Sequence, residues 1–232
     1  MRSWKQRLCS LLLCGAVLVS LCPTALAEGG GISYLDETGT EKSCETYTTV
    51  NNSDSKWEGG WYVAQDQTQV PSRITVTGEV HLILVNGCDL AAVTGIQVSE
   101  GNSLTIYAQS TEDGMGALNA TGIGGDAGIG GGNGGDGGTI TINGGTVTAI
   151  SKDGAGTGAG IGGGAGGNGG NITISGGTVT AISKYGAGIG GGGYGGDGGK
   201  ITINGGTVNA ASQDSGAGIG GGGNGGDGGK IT

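Results

Sequence analysis

Hydrophobic and polar residues alternate in short runs through the second half of the chain. Thr139-Ile140-Thr141-Ile142 and Thr146-Val147-Thr148-Ala149 each set Ile, Val or Ala on one side and Thr on the other. That period of two is the pattern of a half-buried strand. Asn143-Gly144-Gly145 between them is a turn signal. The two strands are therefore either a β-hairpin or two sides of one coil. Four or five apolar side chains cannot offset the ordering of a unit so rich in glycine, so no unit is stable alone. Stacked coils close backbone ladders along the stack and build a continuous apolar column, which favours the coil.

The pattern recurs. The isoleucines of the AGIG word fall at Ile129, Ile161, Ile189 and Ile219, spaced 32, 28 and 30. The first isoleucines of the ITI word fall at Ile140, Ile172, Ile201 and Ile231, spaced 32, 29 and 30. From the first word to the second the gap is 11, 11, 12 and 12, and from ITI to the valine of GGTV it is always 7. From that valine to the next AGIG isoleucine it is 14, 10 and 11. Length variation thus collects in SKDGAGTG, SKYG and SQDSG, which marks surface loops on one side of a stack. The expected fold is all-β: a parallel β-helix, or glycine-rich β-solenoid, with coils of about 30 residues and an N-terminal cap. Glycines in GGxGGDGG serve sharp bends or close approach to the neighbouring coil.

Upstream, residues 74–121 contain longer, less regular strands (RITVTGEVHLILV, GIQVSEGNSLTIYA) that suit irregular first coils. Residues 28–73, with polar turns and the aromatics Trp57, Trp61 and Tyr62, read as the cap region. The glycine-rich solenoid is assigned to 122–232, with the last strand cut short at Thr232, as expected of a truncated frame or a piece of a longer protein. Residues 1–27 read as a signal peptide: Arg2, Lys5 and Arg7, then an apolar run from Leu8 to Leu21, then Ala25-Leu26-Ala27 as a cleavage site. No other stretch is apolar enough to span a membrane.

Composition sharpens this picture. Glycine supplies 61 of 232 residues against 2 prolines, without the strict triplet of collagen. Loss of the leader leaves seven basic against nineteen acidic side chains, a net charge of −12. Nucleic acid is excluded as a partner, because phosphate binding needs clustered Lys and Arg. Of five cysteines, Cys44 and Cys88 remain after cleavage. In an oxidising compartment they are a candidate disulfide, or else two buried thiols.

ITINGGTVTA with GAGIGGG, and upstream VHLILVNGCDL and SLTIYAQST, resemble glycine-rich repeat surface proteins of Gram-positive gut bacteria. The same words look like bacterial β-helical carbohydrate-binding domain proteins. The resemblance spans roughly residues 32–232. It implies an exported, non-enzymatic scaffold or adhesive module, secreted or associated with the cell surface, with glycans or cell-wall polysaccharide as partners. A dedicated carbohydrate-binding module is the nearest alternative, and a polysaccharide lyase or hydrolase on the same fold is the catalytic one.

Candidate chemistry is sparse. Trp57, Trp61 and Tyr62 offer aromatic faces for sugar stacking, or a hydrophobic lid on the first coil. Asp136, Asp197 and Asp227, with Asn168 between, recur at one repeat position and would stack about 4.8 Å apart. They are weak calcium candidates, since the nonapeptide motif they resemble has a large apolar residue where Gly138 stands. A recurring position is not the unique pair of carboxylates that glycoside hydrolysis needs. His81, the only histidine, has no nucleophile to serve and reads as a packed strand residue. Rows of outward threonines (Thr141, Thr173, Thr202; Thr146, Thr178, Thr207) raise ice binding as a further alternative, against simple β-propensity on a solvated face.

Overall fold

The computed structural model describes residues 31–152 and 157–232; the signal peptide expected at 1–27 lies outside the described residues. The chain opens with β1 (Ile32–Leu35) and β2 (Glu41–Cys44), an antiparallel hairpin. Then follow β3 (Thr48–Thr49) and the first coil, β4 (Lys56–Ala64) and β5 (Gln67–Val70). The second coil is β6 (Ile74–Leu84) and β7 (Asp89–Ala92). From there each coil has three strands. The third is β8 (Ile96–Gln97), β9 (Ser103–Ala108) and β10 (Ala117–Gly122), and the fourth β11 (Ile129–Gly130), β12 (Thr139–Ile142) and β13 (Thr146–Ser151). The fifth is β14 (Ile161–Gly162), β15 (Asn171–Ile174) and β16 (Thr178–Ser183), and the sixth β17 (Ile189–Gly190), β18 (Lys200–Ile203) and β19 (Thr207–Ser212). The path closes with β20 (Ile219–Gly220) and β21 (Lys230–Ile231).

Every strand from β3 onward pairs in parallel with its counterpart one coil away. This is an all-β parallel β-helix. β12 and β13, the two halves of ITINGGTVTA, belong to different sheets, so the Asn143-Gly144-Gly145 turn is a corner and not a hairpin loop. Register follows the repeat words: Ile129 faces Ile161, Ile140 faces Ile172, and Val147 faces Val179. These side chains are fully or almost fully buried and stack into one interior column that runs back to Leu82, Leu84 and Trp57.

The early coils differ from expectation. Ile74 pairs with Ile96, a step of only 22 residues, because β6 runs unbroken through the corner that a glycine arc occupies later. β6 therefore joins two columns, pairing with β8 at one end and β9 at the other. The coil path also starts inside the expected cap region, at Lys56. The β1–β2 hairpin does not close the end of the helix. It lies on the outer face of β4, β6 and β9, where Cys44 and Tyr47 pack with Val63, Ile83 and Tyr107 in a second hydrophobic cluster. The alternation of β6 explains this: Leu82 and Leu84 point inward, so Ile83 points out and needs a cover. At the end of the stack the covering group is Val50, whose N–H bonds Val63 O at 2.9 Å and whose side chain joins the main core.

The glycine arcs are hydrogen-bonded layers. Gly131 N–H donates to Gly162 O, Gly163 to Gly190 and Gly191 to Gly220, at 2.8–2.9 Å. Gly164 to Gly135, Gly192 to Gly167 and Gly222 to Gly196 link the coils in the opposite sense, each at 2.9 Å. Gly162 shows why the side chain is missing. It holds φ +135°, and a Cβ there would overlap the carbonyl oxygen of Gly190. We expect Gly162→Ala to lower the unfolding free energy by about 3 kcal/mol or more. Thr139→Ala, on the exposed face, should cost about 0.5 kcal/mol or less. Urea unfolding of the two variants measures the difference, and equal losses would contradict close-packed arcs.

Candidate functional site

The three aromatics, expected as a sugar platform or a lid on the first coil, do not share a face. Trp57 is fully buried in the main core, and its indole N–H donates to Asp54 Oδ2 at 3.0 Å. Tyr62 packs against that core beside Trp57, with ring centroids 5.2 Å apart, and its hydroxyl accepts the Glu58 N–H at 2.9 Å. Trp61 points the other way, because neighbours in a strand alternate. It stacks on His81 at 4.4 Å and on Tyr107 at 5.3 Å, under Tyr34 of the hairpin at 4.9 Å. Trp57, Trp61 and Tyr62 therefore pack the first coil and its hairpin, as the lid alternative has it, and do not form one platform. His81 belongs to the same outer cluster, its Nδ1 lying 3.3 Å from the Tyr107 hydroxyl.

The aspartate column is also structural. Asp136 Oδ1 accepts the N–H of Asn168 at 2.7 Å, Asn168 Oδ1 that of Asp197 at 2.9 Å, and Asp197 Oδ1 that of Asp227 at 2.8 Å. Each side chain caps the same position one coil on, and Asn168 makes the same hydrogen bond as its aspartate counterparts. Among the described residues no group of three or more His, Cys, Asp or Glu is placed to hold a metal. Asp136 and Asp197 thus each spend one carboxylate oxygen on a ladder hydrogen bond to the next coil.

The disulfide reading is corrected as well. Cys44 and Cys88 are free and buried, Cys44 in the outer cluster and Cys88 in the main core. Burial pushes the Cys88 thiol up to about 11 and raises that of Cys44.

An opening that sequence reasoning missed runs across the corner turns. It is a groove of about 470 Å³ whose floor is the stacked turns at Asn143-Gly144 and Ser175-Gly176-Gly177. Thr178 and Thr207 flank the floor, and the hairpin tip overhangs it with Asp36, Glu37 and Thr38. Glycine lets these turns stack closely, since a Cβ at Gly176 would lie 2.6 Å from the Asn143 carbonyl oxygen, while neighbouring residues supply hydroxyl and amide groups. Asn143 Oδ1 is shielded there and has no hydrogen-bond partner among the described residues. Asp36 is held below the usual carboxylate range, chiefly by the Thr38 hydroxyl at 2.6 Å, helped by the Thr40 and Thr38 N–H groups and by Lys42. It is an anion at neutral pH, an acceptor for ligand hydroxyls and a poor proton donor. A second depression, of about 310 Å³, lies against the same turns beyond Met115, shares Thr178, and carries Glu112 and Asp113. The elements involved are brought together only by stacking: the hairpin, the loop at residues 110–115 and three successive corners.

Two measurements check these assignments. Burial lowers the His81 pKa from its ordinary 6.5, with Glu79 acting weakly against it. The folded state thus binds the proton less well than the unfolded chain, and stability is complete above about pH 6.5 and declines as pH falls through the depressed value. Thermal unfolding should show a fall in Tm from pH 7.5 to pH 5 that His81→Gln reduces; an unchanged slope would contradict a half-buried imidazole whose neutral form folding favours. Thiol labelling of the native chain at pH 8 should spare Cys44 and Cys88, and denaturation without reductant should expose both.

Three segments of the repeat region, 140–165, 172–193 and 201–223, match a family model described as a β-helix repeat. No curated protein and no solved structure matches the chain. Among the described residues no helix is long and apolar enough to cross a membrane. The matched segments begin in β12, β15 and β18 and carry on through the corner into the next sheet, so sequence similarity and geometry define the same β-helical scaffold.

Proposed function

We propose that this protein is a secreted, non-enzymatic bacterial surface protein whose β-helix serves as an elongated scaffold or adhesive module engaging glycans. The observation that carries this reading is the groove across the corner turns. It is open, follows the stacking direction over successive coils, and presents the repeat-spaced hydroxyls of Thr178 and Thr207 beside the Asn143 amide and the carboxylates of Asp36 and Glu37. An extended polysaccharide chain, with hydroxyls on every ring, suits such a surface. The acidic overhang of Asp36 and Glu37 favours a neutral glycan over a polyuronate. The net charge of −12 after leader removal acts in the same direction. Asp36, fixed as an anion, is an acceptor that orients a sugar hydroxyl, which suits binding better than general acid catalysis.

A glycan array probed with the intact chain tests this directly. We expect retention of neutral polysaccharides, weakened about tenfold by Thr178→Lys, which fills the groove from an exposed strand position and leaves Tm unchanged. Absence of any glycan signal would overturn the reading, and binding indifferent to Thr178→Lys would remove the groove as its site.

A further inference from the structure

The glycine arcs carry a second feature that neither the core nor the ladder explains. In the fourth and fifth coils the arc turns back within four residues, with Gly135 N–H bonding Gly132 O at 2.7 Å and Gly167 bonding Gly164 at 2.8 Å. In the sixth coil one residue is added, and the corresponding bond runs from Gly196 to Gly192 at 3.1 Å. The wider turn places Tyr194 at its tip with φ +65°. Tyr194 and Asn224, its counterpart one coil on, are the only non-glycine residues with positive φ among those described. Asn tolerates this conformation, whereas a bulky aromatic there is a genuine outlier. Tyr194 gains no burial in exchange, since 63% of it is exposed. Strain of this kind clusters at ligand clamps.

Its surroundings form a site. Tyr185, from the variable loop SKYG, is half-buried, and its carbonyl accepts the Gly223 N–H at 3.1 Å, which fixes the loop against the next arc. The Lys184 ammonium lies 5.0 Å above the Tyr185 ring. Tyr185 and Tyr194 line an opening of about 370 Å³ together with Thr157, Asp214, Ser215 and Asn224. That size lies near the lower end of ligand pockets, which span about 300–1,000 Å³. Thr157 is 2% exposed, and its hydroxyl has no hydrogen-bond partner among the described residues.

We propose that Tyr185 and Tyr194 form a stacking site for one neutral sugar ring, distinct from the corner groove and resting on the glycan reading above. The aromatic rings accept the C–H face of a pyranose. The Asp214 carboxylate and the Ser215 and Asn224 side chains take up its hydroxyls. Asp214 disfavours a uronic acid in the same place, so the ring is a neutral hexose. The groove lies at the corner turns before β13, β16 and β19, and this site lies at the loops and arc tips that follow β16 and β19, so the two share no residue.

Titrating the full chain with neutral oligosaccharides (cello-, malto-, manno- and galacto-series), with oligogalacturonate as the acidic control, tests this. Tyr194→Asn copies the residue that already holds the same φ one coil on. We expect it to leave Tm unchanged or higher, and to weaken neutral-oligosaccharide binding about tenfold. Tyr185 and Tyr194 ring resonances should shift on titration in the parent chain, and oligogalacturonate should leave them still. A loss of Tm in Tyr194→Asn would assign Tyr194 a packing role and overturn the site. Neutral-oligosaccharide binding that survives Tyr194→Asn but falls with Thr178→Lys would overturn the site and keep the groove. Binding of none of these sugars by the parent chain would overturn both.

Discussion

Backbone-to-backbone hydrogen bonding between coils is the constraint on which the rest of this structure depends. A glycine-rich segment has no side chains with which to bury surface, so it folds only if its N–H and C=O groups find partners. Here they find them in the coil above and the coil below, at 2.8–2.9 Å along the Gly131–Gly162–Gly190–Gly220 series. Those distances require the coils to approach so closely that a Cβ at Gly162 has no room. The glycines are thus the condition for the ladder. The ladder in turn sets the register that stacks Ile140 on Ile172 and Ile201.

Side chains that look functional are absorbed by the same demand. The Asp136–Asn168–Asp197–Asp227 column caps one N–H per coil. Ser183 does similar service at the corner leading to the variable loop, donating to Gly158 O at 2.6 Å and accepting from Gly186 N–H at 2.9 Å. The corner turns and loop tips, which the ladders leave open, carry the groove and the tyrosine pair. The binding surfaces proposed for this scaffold thus lie at coil edges, where insertions and exposed side chains escape the packing rule.

The repeat made much of the fold legible. Spacing of Ile129, Ile161, Ile189 and Ile219 is reproduced as strand register, and ITINGGTVTA, which as a lone hairpin would lack a core, forms a corner. Outside the repeat the reading weakened for identifiable reasons. Trp57, Trp61 and Tyr62 are close in sequence, yet strand alternation sends Trp61 to the outer face, and an irregularity between Glu58 and Gly60 alters the register between Trp57 and Trp61. The hairpin's lateral position depends on Ile83 and Tyr107 pointing outward, a detail of two strands far apart in the chain. The groove could not be read from one unit, because its walls come from the hairpin, a loop and three corners. A signal for the tyrosine site did exist in the change of the arc spacing from 11 to 12 residues.

Amide hydrogen exchange resolved to single residues tests the central claim most directly. If the glycine arcs are ladder layers, the amides of Gly163, Gly169, Gly191 and Gly198 exchange as slowly as those of Ile172 and Val179. Protection on the order of a thousandfold or more over an unstructured chain is then expected. Exchange of those glycine amides at the rate of a free linker, with the isoleucine strands still protected, would contradict the account.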